Sequence, residues 1–327
     1  MTPTWVLREI QEVKAKNSRI LFLRAGRNEE ELREFAMEVL QLKHLQRLSL
    51  CFHKRLRHIP PEIAQLEELQ SLMVLGSQLT EISEGIQNLP KLQELKLKGN
   101  RIRQLPEDWQ PNLTTLELGG NPLISLTHGI FQLKHLRRLD LLGCRLQRLP
   151  PDISLLRNLH TLELARNDLT ELPEEIGQLE KLEALSLSFN DLHASEYPSD
   201  LRGMKNLKKL SLNNSPLHGF PEGLTTLPAL EVLKVQFCGL RRVPPEIGRL
   251  KTLTELDLSI NKIKHLPKEI SRLENLRTLH LESNPLSSLP AEFAQLINLQ
   301  TLYLPDRLVN HPILLPMQNS QRLRVIL

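Results

Sequence analysis

No set of side chains in this sequence has the spacing that catalysis requires. The phosphate-cradling patterns GxGxxG and GxxxxGK[ST], the nucleophile turn GxSxG and the zinc-binding HExxH are all missing. Histidines such as His44, His53, His58 and His135 do not fall at metal-ligand spacing with cysteines, and a His53 to His58 pair in a loop reads as surface rather than as ligand. The expectation is a protein that is not an enzyme and has no cofactor, metal or small-molecule substrate. The charged and apolar residues instead recur. Glu117, Asp140 and Glu163 follow one another at 23-residue intervals, and Phe189, Phe237 and Ile260 stand at equivalent places in a longer series of the same period. Basic pairs recur likewise: Arg101 and Arg103, Arg145 and Arg148, Arg241 and Arg242, Lys262 and Lys264. Side chains repeated in this way are aimed at one surface by a repeated backbone, and the chemistry they offer is recognition.

The repeated backbone is written most plainly from Leu253 to Leu276. Its template, LxxLxLxxNxLxxLPxxIxxLxx, is filled by Leu253, Leu256, Leu258, Asn261, Ile263, Leu266, Pro267, Ile270 and Leu273. Leucines two apart share one face of an extended segment, so LxL is a strand. Asn261 falls where the chain leaves the strand, and its amide can satisfy backbone groups that the turn leaves unpaired. Leu266 and Pro267 carry the chain round the far side, where no sheet partner needs the donor that proline lacks. Ile270 and Leu273, three apart, cover the core with a helical or 3₁₀ turn. This is the leucine-rich-repeat pattern. It predicts an α/β leucine-rich-repeat solenoid, a curved horseshoe with a parallel β-sheet on its concave face and helical or 3₁₀ turns on its convex face.

Full repeats start at Leu45, Leu69, Leu92, Leu113, Leu136, Leu159, Leu182, Leu207, Leu230, Leu253 and Leu276, with a partial one at Leu299. The first is one residue longer than the rule, the third is cut to 21 with Trp109 at the isoleucine position, and the seventh is stretched to 25. The asparagine position reads His53, Ser77, Asn100, Asn121, Cys144, Asn167, Asn190, Ser215, Cys238, Asn261 and Asn284. Three regions follow: an N-terminal helical cap over 1–44, repeats over 45–304 and a C-terminal cap over 305–327. In the first cap Val6, Ile10 and Val13 predict an amphipathic helix, Ile20 to Leu23 a strand, and Leu32, Phe35, Val39 and Leu42 a second helix within 29–42. The last cap ends on the strand-like RLRVIL.

Composition agrees with a stacked architecture. Apolar residues make up 40% but aromatic ones only 4%, as suits a lattice walled with one aliphatic side chain, and 42 basic against 38 acidic residues leave a net charge of +4. That balance does not describe a nucleic-acid binder. Cys144 and Cys238 lie four coils apart, about 19 Å at about 4.8 Å per strand, too far for a disulfide. Cys51 follows the first full strand. With three free thiols, no secretory signal and no long apolar run, the chain is expected in the cytoplasm, off the membrane and monomeric.

The residues between the leucines carry the function. Glu117, Asp140 and Glu163 on adjacent strands repel unless cations such as Arg138 and Arg166 offset them; they form either a solvated mixed-charge face or an acidic patch for a basic partner. The position before the asparagine holds Phe52, Arg166, Phe189, Asn214, Phe237 and Ile260, but Gly76, Gly99, Gly120 and Gly143 elsewhere. In a protein with eight phenylalanines, the large residues there either pack along the sheet edge or anchor a partner. We read Phe189, Phe237 and Ile260, flanked by Lys234, Asp257 and Tyr303, as that anchor. The basic pairs read as a solvated edge.

The segments LPEEIGQLEKL (172–182), VPPEIGRLKTL (243–253) and LPKEISRLENL (266–276) resemble the intracellular leucine-rich repeats of Ras-suppressor-like proteins and of many bacterial repeat proteins. The resemblance covers residues 45–304 and implies the fold; the extended rigid surface of a curved solenoid then leads to the expectation of a scaffold or signalling adaptor that binds a protein through its concave face. Bacterial secreted ubiquitin ligases carry similar repeats beside a catalytic domain, for which the residues after 304 are too few. The alternative is the recognition part of a larger effector or enzyme whose catalytic domain lies outside this chain.

Overall fold

A strand with leucines at alternate positions has one apolar and one polar face, and it is stable only when the apolar face is covered. Here each strand is covered by its own repeat. In the computed structural model, which describes residues 2–26, 30–109, 112–319 and 323–326, the chain leaves the strand, doubles back through a 3₁₀ turn and re-enters the next strand alongside the first. Glu29, at the head of the second expected helix, and Arg322 and Leu327 of the closing run lie outside the described residues.

Two units result, Met1–Gln147 and Arg148–Leu327. The first opens with helix α1 (Thr4–Ala15), whose Val6, Ile10 and Val13 are buried. Its parallel strands run in chain order as β1 (Ile20–Arg24), β2 (Arg47–Cys51), β3 (Ser71–Leu75), β4 (Glu94–Lys96), β5 (Thr115–Glu117) and β6 (Arg138–Asp140). Leu21, Leu48, Leu72, Leu95, Leu116 and Leu139 stand in one register across them. The second unit holds β7 (Thr161–Glu163), β8 (Ala184–Ser186), β9 (Lys209–Ser211), β10 (Val232–Lys234), β11 (Glu255–Asp257), β12 (Thr278–His280), β13 (Thr301–Tyr303) and β14 (Arg324–Ile326). Leu210, Leu233, Leu256, Leu279 and Leu302 share its register. All these leucines are buried.

The far side is 3₁₀ rather than α-helical at nearly every coil. In the turn Lys268–Arg272 the preceding Pro267 sits at φ −69°, ψ 146°, and its carbonyl accepts from Ile270 N–H at 3.1 Å. Proline presets the φ and the turn closes one residue early, which suits a coil that must return within a few residues. Ile63, Ile153, Ile176, Ile247 and Ile270 point inward and are buried.

The asparagine position is a ladder. Asn261 donates to Val235 O and Leu258 O at 2.8 and 2.9 Å and accepts from the N–H groups of Cys238 and Leu240, both at 3.0 Å. Asn100, Asn121, Asn190 and Asn284 donate to the corresponding carbonyls. Where cysteine replaces asparagine, Cys238 Sγ donates to Leu212 O at 3.2 Å. His53 takes the role in its coil: Nδ1 accepts from Leu32 N–H at 3.2 Å and Nε2 faces Leu23 O at 3.3 Å.

Over the described residues 30–42 the helix expected within 29–42 is not formed. Only Met37–Gln41 turns, as 3₁₀, although Leu32, Phe35, Val39 and Leu42 are all buried. Their spacing of three, four and three is the spacing of Leu56, Ile59, Ile63 and Leu66 in the next coil. The segment is the far side of a repeat, whose inward positions imitate a helical period. At the other end, Arg324–Ile326 extends the sheet beside β13, as the strand-like run implies.

Candidate functional site

Because leucines occupy the inward positions, the residues between them stand on the sheet face. In the second unit that row includes Glu163, Ser186, Ser211, Lys234, Asp257, His280 and Tyr303. Lys234 Nζ lies 3.0 Å from Glu255. Asp257 Oδ1 accepts from Ser259 N–H at 3.0 Å and from its hydroxyl at 2.6 Å. His280 and Tyr303 stack with ring centroids 4.1 Å apart and planes within 9°. Ala184, Ser186 and Ser211 are small, and between Glu163 on one side and Lys234 on the other they leave a shallow depression of about 230 Å³.

Beside this face runs the row preceding the ladder, and its backbone decides its composition. Gly76, Gly99, Gly120 and Gly143 have φ between 59° and 74°. Phe52, Arg166, Phe189, Asn214, Phe237, Ile260 and Ser283 hold the same left-handed conformation, with φ of 52–64°. Glycine adopts it without penalty, whereas an L-residue there costs about 1–2 kcal/mol, and a β-branched residue such as Ile260 is an outlier. The side chains do not recover that cost by burial. Phe189 is 44% exposed, Phe237 59% and Ile260 42%. The Arg166 guanidinium lies 4.6 Å from the Phe189 ring centroid, so it stacks on the rim rather than approaching the acidic strands as expected from the sequence.

The carboxylates are committed elsewhere. In the first unit Lys98 lies 3.0 Å from Glu117 and 2.7 Å from Asp140, and Arg138 lies 3.3 and 3.6 Å from the same pair. Burial works against the Lys98 charge, but the hydrogen bonds it donates to Asp140 and Glu117 outweigh that and hold the ammonium above its ordinary pKa. Asp140 is buried, and its Oδ1 also accepts from Leu142 N–H at 3.1 Å. In the second unit Glu163 accepts from Ala165 N–H at 2.9 Å. Asp140, Glu163 and Asp257 thus each cap the amide two residues onward, a local role that the sequence reading missed and that their equal repeat positions could have suggested. Arg138 neutralises its neighbours as expected; Lys98, one row further along the face, was overlooked.

The basic pairs are exposed, and Arg148 approaches Glu171 at 3.7 Å. His58 faces Glu81 at 3.4 Å and His44 bonds Ser18 O at 3.0 Å. Among the described residues no group of three His, Cys, Asp or Glu side chains could hold a metal ion, and no helix is long and apolar enough to cross a membrane. Cys51, Cys144 and Cys238 are buried and form no disulfide.

Residues 120–243 match the model of a leucine-rich repeat region, and 43–102 and 251–306 match that of a leucine rich repeat. A solved leucine-rich-repeat protein of Leptospira interrogans is 30% identical, with a TM-score of 0.64 over 95% of this chain and 90% of that one. An internalin of Listeria monocytogenes has the same fold at 19% identity, with a TM-score of 0.76 over 93% and 89%. Over 91 residues the chain is 41% identical to the geranylgeranyl transferase type-2 subunit alpha of Bos taurus, a match that spans 25% of this chain and 16% of that relative's length.

Proposed function

Since this chain belongs to the leucine-rich-repeat proteins, we propose that it is a monomeric, non-enzymatic scaffold that binds a folded protein partner through the sheet face and rim of its second unit. Leucine-rich-repeat proteins are generally interaction modules without catalysis of their own, and rigid stacked coils offer an extended surface without a pocket. One observation carries the assignment to this face. Phe189, Phe237 and Ile260 are large, exposed and held in a backbone conformation that favours glycine. A residue that destabilises the fold and is not buried points to a role outside the fold. Lys234, Asp257 and Tyr303 give the anchor a polar surround, the usual arrangement at the centre of an interface. Glu163 borders the depression of this face and supplies a charge for the partner to meet; Glu117 and Asp140 belong to the first unit, where Lys98 and Arg138 neutralise them. Three unbridged buried thiols support a reducing, cytoplasmic setting.

Glycine is the informative replacement, because the backbone accepts it. In capture experiments quantified by mass spectrometry, the Phe237→Gly, Ile260→Gly double variant should fold and lose partners that the parent retains, with affinity for an identified partner reduced at least about tenfold. Retention of every partner by the folded double variant would dismiss the anchor.

A second reading has its own support. A related stretch occurs within a much longer transferase subunit, so the repeats can equally be the recognition part of a larger protein. Sequencing the transcript beyond the codon for Leu327 separates the two, since an open reading frame continuing into another domain would favour the second.

A further inference from the structure

The first unit carries an exposed apolar face that the second-unit anchor does not explain. On β1 the alternation Ile20-Leu21-Phe22-Leu23-Arg24 buries the leucines and leaves Ile20 50% and Phe22 54% exposed. Phe22 stands in register with Ser49 of β2 and then with Met73 of β3, so a small serine separates two large apolar side chains. Phe52, at φ 64°, is 43% exposed and lies against Gly76 so closely that a Cβ there would meet its ring at 2.7 Å. The Arg24 guanidinium covers the same ring at 5.0 Å.

The charge on this face has one sign. The outward positions of β1, β2 and β3 carry Arg24 and Arg47, with Arg19 just before β1, and no carboxylate. The first acidic residue is Glu94 of β4, which accepts from the Ser71 hydroxyl at 3.1 Å and lies 3.1 Å from Lys96. Arg47 is near enough to Glu94 to favour its charged form, but Arg24 and Arg19 add positive charge with no carboxylate on β1 to β3, and exposed aromatic and aliphatic groups interleaved with such an excess favour a partner that brings both apolar anchors and negative charge.

We infer that the sheet face of β1 to β3 is a second docking surface, for an acidic protein segment with aliphatic or aromatic anchors. An anionic bilayer offers related chemistry but fits less well. On the next strands of the same face Glu94, Glu117 and Asp140 are matched by Lys96, Lys98 and Arg138, so the excess positive charge ends at β3, a strip that suits a narrow segment better than a flat anionic surface. The inference is independent of the Phe189, Phe237 and Ile260 anchor.

The test uses the full chain and a short fluorescein-labelled peptide in which glutamate alternates with leucine, read by fluorescence anisotropy. Binding should weaken with added salt. It should fall at least about tenfold in the Arg24→Glu, Arg47→Glu variant and in the Phe22→Ser, Phe52→Gly variant. It should persist in Phe237→Gly, Ile260→Gly. A peptide with lysine for glutamate should not bind, nor should phosphatidylserine vesicles sediment the protein. Equal binding of the lysine peptide, undiminished binding by both first-unit variants, loss in the second-unit variant, or sedimentation by vesicles would each overturn the inference. Thermal unfolding verifies each variant, and if the Phe22, Phe52 pair fails to fold, the arginine pair decides.

Discussion

Asn190 uses its whole amide. Nδ2 donates to Leu164 O at 3.0 Å and Leu187 O at 2.8 Å, and Oδ1 accepts from Leu169 N–H at 3.1 Å. Asn190→Leu would leave these buried groups unpaired and should lower stability by about 1–3 kcal/mol in urea titration. An unchanged midpoint would contradict the ladder role. The ladder cysteines make a second case. Burial pushes the Cys144 and Cys238 thiols up to about 11 from an ordinary value of 9.0. Between those values the unfolded chain has lost protons that the folded chain keeps, so stability is full below the lower value and falls as pH rises through the window. Denaturant midpoints should therefore drop from about pH 8 to about pH 10, and a Cys144→Ala, Cys238→Ala variant should drop less. A variant that drops as steeply as the parent would assign the effect to other groups. Thiol titration should count three groups on unfolding and react slowly before it.

The turn out of each strand is the element that sets the rim. Its left-handed residue is glycine in four successive coils and phenylalanine, isoleucine or a polar residue in others. Two substitutions test the backbone account from opposite directions. Gly99→Ala should destabilise by about 1 kcal/mol or more, since φ is 69° and the new Cβ would sit 3.5 Å from Gly76. Ile260→Gly should leave stability within about 1 kcal/mol of the parent or raise it, because relief of strain offsets the added chain entropy. A large loss in Ile260→Gly, measured by urea unfolding, would return the rim residues to packing. The far side of the coil, in turn, explains why the described residues 30–42 form no long helix. Inward residues spaced three, four and three satisfy both an α-helix and the far side of a repeat, and the bond from Leu32 N–H to His53 holds the segment in the second form.

At the scale of the molecule, each coil in a unit is covered by the coil before it and the coil after it. Among the described residues the terminal strands lack one of these neighbours: β1 pairs with β2 alone, and β14 with β13 alone. Hydrogen exchange should follow that inequality. Amides of β14, including Arg324 N–H bonded to Gln300 O at 2.8 Å, should exchange faster than the equivalent amides of β10 and β11. Equal protection throughout the second unit would indicate all-or-none opening instead.

Much of this protein was legible in the chain alone. The 23-residue period determined the fold class, the register and the buried leucines, because a repeat that fixes inward leucines also fixes which residues face out. It placed the ladder, including cysteine and serine substitutes, since the turn must satisfy the same backbone groups in every coil. Tertiary structure decided what side-chain type does not encode. It showed that the glycine row marks a left-handed backbone, which changes Phe237 and Ile260 from residues the template merely tolerates into residues held against a conformational preference. It withdrew Asp140 from the open face by surrounding it with Lys98, Arg138 and the Leu142 amide. It also turned Arg166 onto Phe189, because a long cation beside an exposed ring gains more by stacking on it than by reaching back to the strands. Local spacing specifies which face a residue occupies; the neighbours across that face, brought together only by stacking, specify what it touches.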